Sequence, residues 1–128
     1  LNFGHTIGHA LEAISRYGQY LHGEAISIGQ AAAARISTEL AGLPAEAAAR
    51  IESLLKNASL PTRAQLTATQ TRRLFDAMRL DKKVSAGKIN FVLAQKIGSV
   101  KRDQIVPPSL IRKSLNPPPP THRSSRGR

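Results

Sequence analysis

A mainly α-helical domain carrying one small β element is the fold class predicted for this 128-residue chain. Three observations predict it. Apolar residues recur at three-to-four spacing through most of the first hundred positions, the mark of helices with one buried stripe. Glycines and prolines fall between those stretches, where helices start and stop. One segment alone, residues 88–95, changes to an alternating pattern suited to a strand. With 41% hydrophobic residues but only three Phe, two Tyr and no Trp, the core has to be built from Leu, Ile, Ala and Val.

The elements follow in order. Residues 7–16 place Ile7, Ala10, Leu11 and Ile14 on one helical face, and Tyr17-Gly18 reads as the stop. A longer helix is expected from Glu24 to Ala41, ended by Gly42. Its small residues (Ala25, Ser27, Gly29 and Ala31 to Ala34) permit close helix–helix approach and mark it as the buried central helix. Pro44 suits a first helical turn, and residues 45–57 align Ala48, Ile51, Leu54 and Leu55. Leu60-Pro61 breaks that helix, and Thr67 to Arg79 forms another with Leu74, Phe75 and Met78 inward. Between Lys88 and Gln95, Ile89, Phe91 and Leu93 alternate with Asn90, Val92 and Ala94; with Ile97-Gly98-Ser99-Val100 this reads as a small β-hairpin. Pro107-Pro108 introduces a last short helix, Ser109 to Leu115. From Pro117 onward a Pro-rich basic stretch has nothing to bury and reads as a disordered tail (117–128) behind a folded unit (1–116).

The formal net charge of +11 is unevenly placed. Residues 1–100 hold twelve Lys/Arg and seven Asp/Glu, whereas the last 28 hold seven Lys/Arg and only Asp103. More than half of the excess therefore sits in the last quarter of the chain, which weakens a reading of the whole domain as a nucleic-acid binder. The tail also lacks an aromatic residue for base stacking. The absence of Cys excludes disulfides, thiol nucleophiles and iron–sulfur ligation. No apolar run approaches the roughly 20 residues needed to cross a bilayer. The chain opens on Leu1 and its only Met is Met78, so it is expected to be a processed product or a piece of something longer.

Chemistry concentrates at the start. Three of the four histidines, His5, His9 and His22, lie in the first 22 residues. His5 and His9, four apart, share one face of a helix, and a helix–turn–helix folds His22 back towards them. Clustered imidazoles suit zinc, with a carboxylate as a further ligand. Glu12 and Glu24 are the local carboxylates, and Glu24, beside His22, is as well placed to orient it as to bind metal. Equally, three histidines can be caps, core groups or surface residues. Gly4 and Gly8, each directly before a histidine, cost about 1 kcal/mol apiece inside a helix relative to Ala. That suggests close approach to the backbone and brings the metal-or-anion reading level with the bland one.

The run LNFGHTIGHALEA, followed by LHGEAISIG and later by DKKVSAGKINFVL, closely resembles the C-terminal half of 3-dehydroquinate synthase over residues 1–116. The resemblance implies the helical C-terminal domain of that fold and a share in converting 3-deoxy-D-arabino-heptulosonate 7-phosphate to 3-dehydroquinate and phosphate, a step of the shikimate pathway. It implies that His5 and His22 are metal ligands for Zn2+ or Co2+. His9 belongs to the pocket of the departing phosphate, and Asn2 reaches the substrate. Lys83, in preference to Lys82, binds an anionic substrate group. NAD belongs to a Rossmann-like N-terminal domain with no counterpart here, so no residue of this chain is assigned to it, and the third metal ligand is a glutamate from outside the segment. The chain is accordingly expected to be inactive alone, its Ala/Gly-rich second helix sticky without the N-terminal domain. In the intact family it is expected to be part of a homodimer in the cytoplasm, or in a plastid for a plant or alga. Other sugar-phosphate cyclases, of the valiolone or deoxy-scyllo-inosose synthase type, share the scaffold and stand as the alternative. A non-catalytic helical domain with a nucleic-acid-binding tail is the remaining one.

Overall fold

The computed structural model describes residues 3–15, 20–80, 89–96 and 98–117. Five helices and a two-stranded antiparallel sheet follow in the order α1 (His5–Ile14), α2 (His22–Leu40), α3 (Ala45–Asn57), α4 (Ala68–Leu80), β1 (Asn90–Lys96), β2 (Ser99–Ile105) and α5 (Pro108–Leu115). The mainly helical class with a β-hairpin is therefore the observed one.

Helix α2 is the axis of the molecule. Ala25, Ile28, Ala31, Ala32, Ala33, Ala34 and Ile36 are all buried, covered by α1, α3, α5 and β1 of this same chain. The expectation of a buried central helix is thereby met: side chains this small let four elements close onto one helix. The main core joins Ile7 and Leu11 of α1, Ile28 and Ile36 of α2, Leu74, Phe75 and Met78 of α4, Phe91 and Leu93 of β1, and Ile111 and Leu115 of α5. A second, smaller cluster sets Phe3 and the half-buried face of α3 (Ala47, Ala48, Ile51) against Ala34, Leu43 and Ala94. Leu54, expected on the inward face of α3, is 64% exposed, because α3 packs through one edge and buries no residue fully.

Local signals set most element ends. Thr67 and Gln70 cap α4 reciprocally, each backbone N–H donating to the other's side-chain oxygen at 2.9 and 3.1 Å. Pro107 and Pro108 open α5, where a missing N–H costs nothing. Helix α1 starts at His5, two residues earlier than its apolar stripe, because Gly4 at φ 80° forms its N-cap. Helix α2 likewise starts at His22, the Glu24 side chain accepting the Leu21 N–H at 3.0 Å. In the hairpin, Ile89, Phe91 and Leu93 are buried as the alternation requires, but Ala94 is buried too. The register shifts between Phe91 and Leu93 and again between Ala94 and Lys96, and such irregularities break strict alternation. Strand β2 runs on through the polar Lys101–Gln104 stretch, well past the Ser99-Val100 expected from sequence, because as the outer strand it can leave Val100 and Ile105 in solvent. The Tyr17-Gly18 stop and residues 118–128 of the tail lie outside the described residues.

Polar links hold the layers in place. The buried Ser37 hydroxyl donates to Ala33 O at 2.7 Å and accepts the Ala94 N–H at 2.9 Å, fastening β1 to α2. Arg35 donates to Ser114 O at the end of α5 at 2.6 Å and pairs with Glu52 of α3 at 2.9 Å. One guanidinium thus joins three helices. Removal of the Ser37 hydroxyl strands a buried N–H, so Ser37→Ala is expected to lower stability by about 1–3 kcal/mol. Urea denaturation measures the loss, and faster hydrogen exchange at the Ala94 amide locates it. Partial burial pushes the Glu52 carboxyl up, but Arg35, and after it Lys56, outweigh that and hold it below the usual glutamate range. A carboxyl lowered on folding stabilises fully above its unfolded pKa, and that contribution disappears as the pH falls through the folded value. Urea titrations across the acid range should therefore show a shallower acid loss of stability for Glu52→Gln than for the unaltered chain.

Candidate active site

The histidine block is carried by the crossing of α1 and α2, and glycine makes that crossing possible. A Cβ on Gly29 would strike the Gly4 carbonyl oxygen and lie 2.8 Å from Gly8 N. One on Gly8 would lie 2.8 Å from Ile26 Cδ1 and 3.1 Å from Ile26 Cα, and one on Gly4 2.6 Å from Gln30 N. What approaches the backbone at Gly4 and Gly8 is thus helix α2, rather than a ligand. Gly4 is fixed twice over, since its positive φ also disfavours any side chain.

The two helices run antiparallel in a plain register. Gly4 faces Gln30, Gly8 faces Ile26, and Glu12 meets His22, a step of four along each helix in opposite directions. The Tyr20 N–H, donated to Ser15 Oγ at 2.8 Å, ties the connection back to the end of α1. On α1, His5, His9 and Glu12 follow at intervals of four and three and so share one face, while Ile7, Ala10 and Leu11 turn into the core.

The site residues read from the sequence fall into three groups. The His5 and His9 rings meet edge to face, centroids 5.0 Å apart. His22, the first residue of α2, returns to α1 as expected, but what it meets there is Glu12, its Nδ1 2.9 Å from Glu12 Oε1. Asn2, Lys82 and Lys83 lie outside the described residues. Among the described residues no three His, Asp or Glu side chains converge as a metal cage. The carboxylate that orients His22 is Glu12, a correction to the expectation for Glu24, which is occupied in capping α2. The cue for Glu12 was its position seven residues after His5, on the same helical face.

Two features of the described residues suit a metal ion. His5 Nδ1 is buried with no hydrogen-bond partner among the described residues, a state that native interiors rarely leave without an occupant. His22 spends one ring nitrogen on a carboxylate, which leaves Nε2 with no partner among the described residues, the usual arrangement of a ligating imidazole. Gly4, Gly8 and Gly29 pack helix on helix.

Comparison with known proteins bears on the same segment. The family described as 3-dehydroquinate synthase C-terminal matches residues 1–84, which include all three site histidines. The chain is 43% identical over 115 residues to a 3-dehydroquinate synthase from Nostoc punctiforme, covering 90% of this chain and 31% of that one. Similarity to the enzyme of the same name from Gloeobacter violaceus is 42% over 116 residues, 91% of this chain and 32% of that one. The chain thus spans about a third of the length of the curated relatives it matches. Among solved structures, a 2-epi-5-epi-valiolone synthase from Streptomyces hygroscopicus with NAD+ and Zn2+ bound superposes at TM-score 0.74, with 21% identity, over 89% of this chain and 31% of that one. A 2-deoxy-scyllo-inosose synthase complexed with carbaglucose-6-phosphate, NAD+ and Co2+ superposes at 0.68, with 23% identity, over 89% of this chain and 32% of that one. At those identities the likeness is one of fold.

The crossing yields a direct test. Gly29→Ala forces α1 and α2 apart and is expected to lower stability by about 2–3 kcal/mol, as overpacking does. Gly23→Ala, in open space within the first turn of α2, is expected to raise it by about 0.5 kcal/mol through helix propensity. Equal urea midpoints for the two variants are the result that contradicts the glycine contact.

Proposed function

The chain belongs to the 3-dehydroquinate synthase family through its C-terminal domain, and from that membership we propose that it forms the metal- and substrate-binding lobe of a 3-dehydroquinate synthase. The reaction is the conversion of 3-deoxy-D-arabino-heptulosonate 7-phosphate to 3-dehydroquinate and phosphate, with no net oxidation. The observation that carries the reading is the antiparallel glycine crossing, which sets His5, His9, Glu12 and His22 along one edge of α1 and α2 inside the matched region.

In this reading the imidazoles of His5 and His22 supply two nitrogen ligands to Zn2+ or Co2+, and further ligands come from outside the described residues. When bound, the metal would supply Lewis-acid polarisation of a substrate oxygen, and NAD, held outside this chain, would supply reversible hydride transfer. The remaining work falls to side chains of this chain. His9, exposed and edge-on to His5, donates a ring N–H towards the departing phosphate, whose charge it stabilises. Lys83, in preference to Lys82, pairs with an anionic group of the substrate, and the Asn2 amide hydrogen-bonds to the substrate and orients it. The enzyme works as a homodimer, in the cytoplasm or in a plastid; among the described residues no helix is long and apolar enough to cross a membrane. The related cyclases have the same fold, but relatives at 42–43% identity favour the first reading.

The test mixes this chain with a separately produced NAD-binding half of a 3-dehydroquinate synthase, adds Zn2+ and NAD, and follows phosphate release from the substrate. Release is expected only when both halves are present, and a fall of at least about 100-fold in His5→Ala and in His22→Ala, in keeping with loss of a metal ligand. No release from halves proven to associate rejects the assignment and sends the search to the other cyclase substrates.

A further inference from the structure

We infer that Glu12 is a positioning residue for His22: it holds the ring as the Nδ1–H tautomer, so that Nε2 keeps its lone pair for the metal. The inference rests on the proposed reading of His22 as a ligand and adds to it a residue and a tautomer. Three observations carry it. The hydrogen bond is short, 2.9 Å from His22 Nδ1 to Glu12 Oε1, and a carboxylate oxygen only accepts, so the proton stands on Nδ1. The contact is imposed from outside itself, because the Gly4–Gln30 and Gly8–Ile26 contacts fix the register that continues to Glu12 and His22. The two local carboxylates also divide the task. Glu24 accepts the Leu21 N–H and fixes the backbone at which α2 begins, while Glu12 fixes the ring.

Support of the fold does not account for the pair. The two side chains are 65% and 41% exposed, and ion pairs so open to water contribute little to stability. Their geometry instead matters to the ring nitrogen left over. A ligating histidine gains basicity and a single orientation when its other nitrogen donates to a carboxylate, and loss of that partner weakens metal binding by about 10- to 100-fold.

The test uses the full chain and Zn2+ alone. Nitrogen-15 spectra, taken where the ring is neutral, report the His22 tautomer, and a Zn2+ titration followed on the His22 signals reports affinity. Glu12→Ala is expected to move His22 from the Nδ1–H to the Nε2–H tautomer and to weaken Zn2+ binding about 10- to 100-fold, with urea stability unchanged. Glu12→Gln retains a carbonyl oxygen able to accept from Nδ1–H, and is expected to keep the tautomer. An unchanged tautomer, or unchanged affinity, in Glu12→Ala overturns the inference alone. Zn2+ that leaves His22 unmoved in the unaltered chain overturns the reading of His22 as a ligand, and the inference with it.

Discussion

Backbone-to-backbone contact between α1 and α2 is the constraint on which the rest of the structure depends. Helices separated by ordinary side chains sit about 8–10 Å apart, with some latitude to slide. Gly4, Gly8 and Gly29 remove that latitude, since most of the atoms in contact, and all of those facing Gly29, are main-chain atoms with no rotamer to change. The interface has one register, and that register decides which face of α1 turns into the core and which carries His5, His9 and Glu12. Three glycines inside or beside helices, each unfavourable on propensity alone, are what this placement costs locally.

The remaining elements act as a frame that covers α2. Helices α3 and α5 and strand β1 close on it, and polar links sit where layers meet. Ser37 joins β1 to α2 through a hydroxyl that both donates and accepts. Arg35 reaches α3 and α5 at once. These ties lie on the half of α2 remote from His22. The ties made by Ser37 and Arg35 thus fasten the C-terminal half of α2, while the glycine contacts with α1 fix its N-terminal half.

Much of this could be read from the residues. The stripe Ile7–Leu11 and the trio Leu74, Phe75 and Met78 fall where helical periodicity puts them, and the alternation Ile89–Phe91–Leu93 marks a strand. Periodicity works there because each element has one buried side. It misplaced the start of α1, where a left-handed glycine outweighs the apolar pattern, and it understated β2, whose polar outer strand lacks such a pattern. Gly4 and Gly8 carried a true signal of close approach, but local sequence cannot name the approaching partner. That partner is Gly29, more than twenty residues away. Glu12 was partly legible, because seven residues from His5 is two helical turns, whereas Glu24 drew attention only by adjacency to His22. Adjacency in sequence gave the cap; spacing along the helix gave the contact.

The stepwise pairing of α1 with α2 also constrains sequence change. Among the described residues the Tyr20 to Ser15 hydrogen bond ties the connection back to α1, whereas the register itself follows from the contacts made within the two helices. A single-residue insertion between Gly4 and Glu12, or between His22 and Gly29, rotates everything beyond it by about 100° on its helix and separates Glu12 from His22. The spacing inside each helix is therefore inherited as a block.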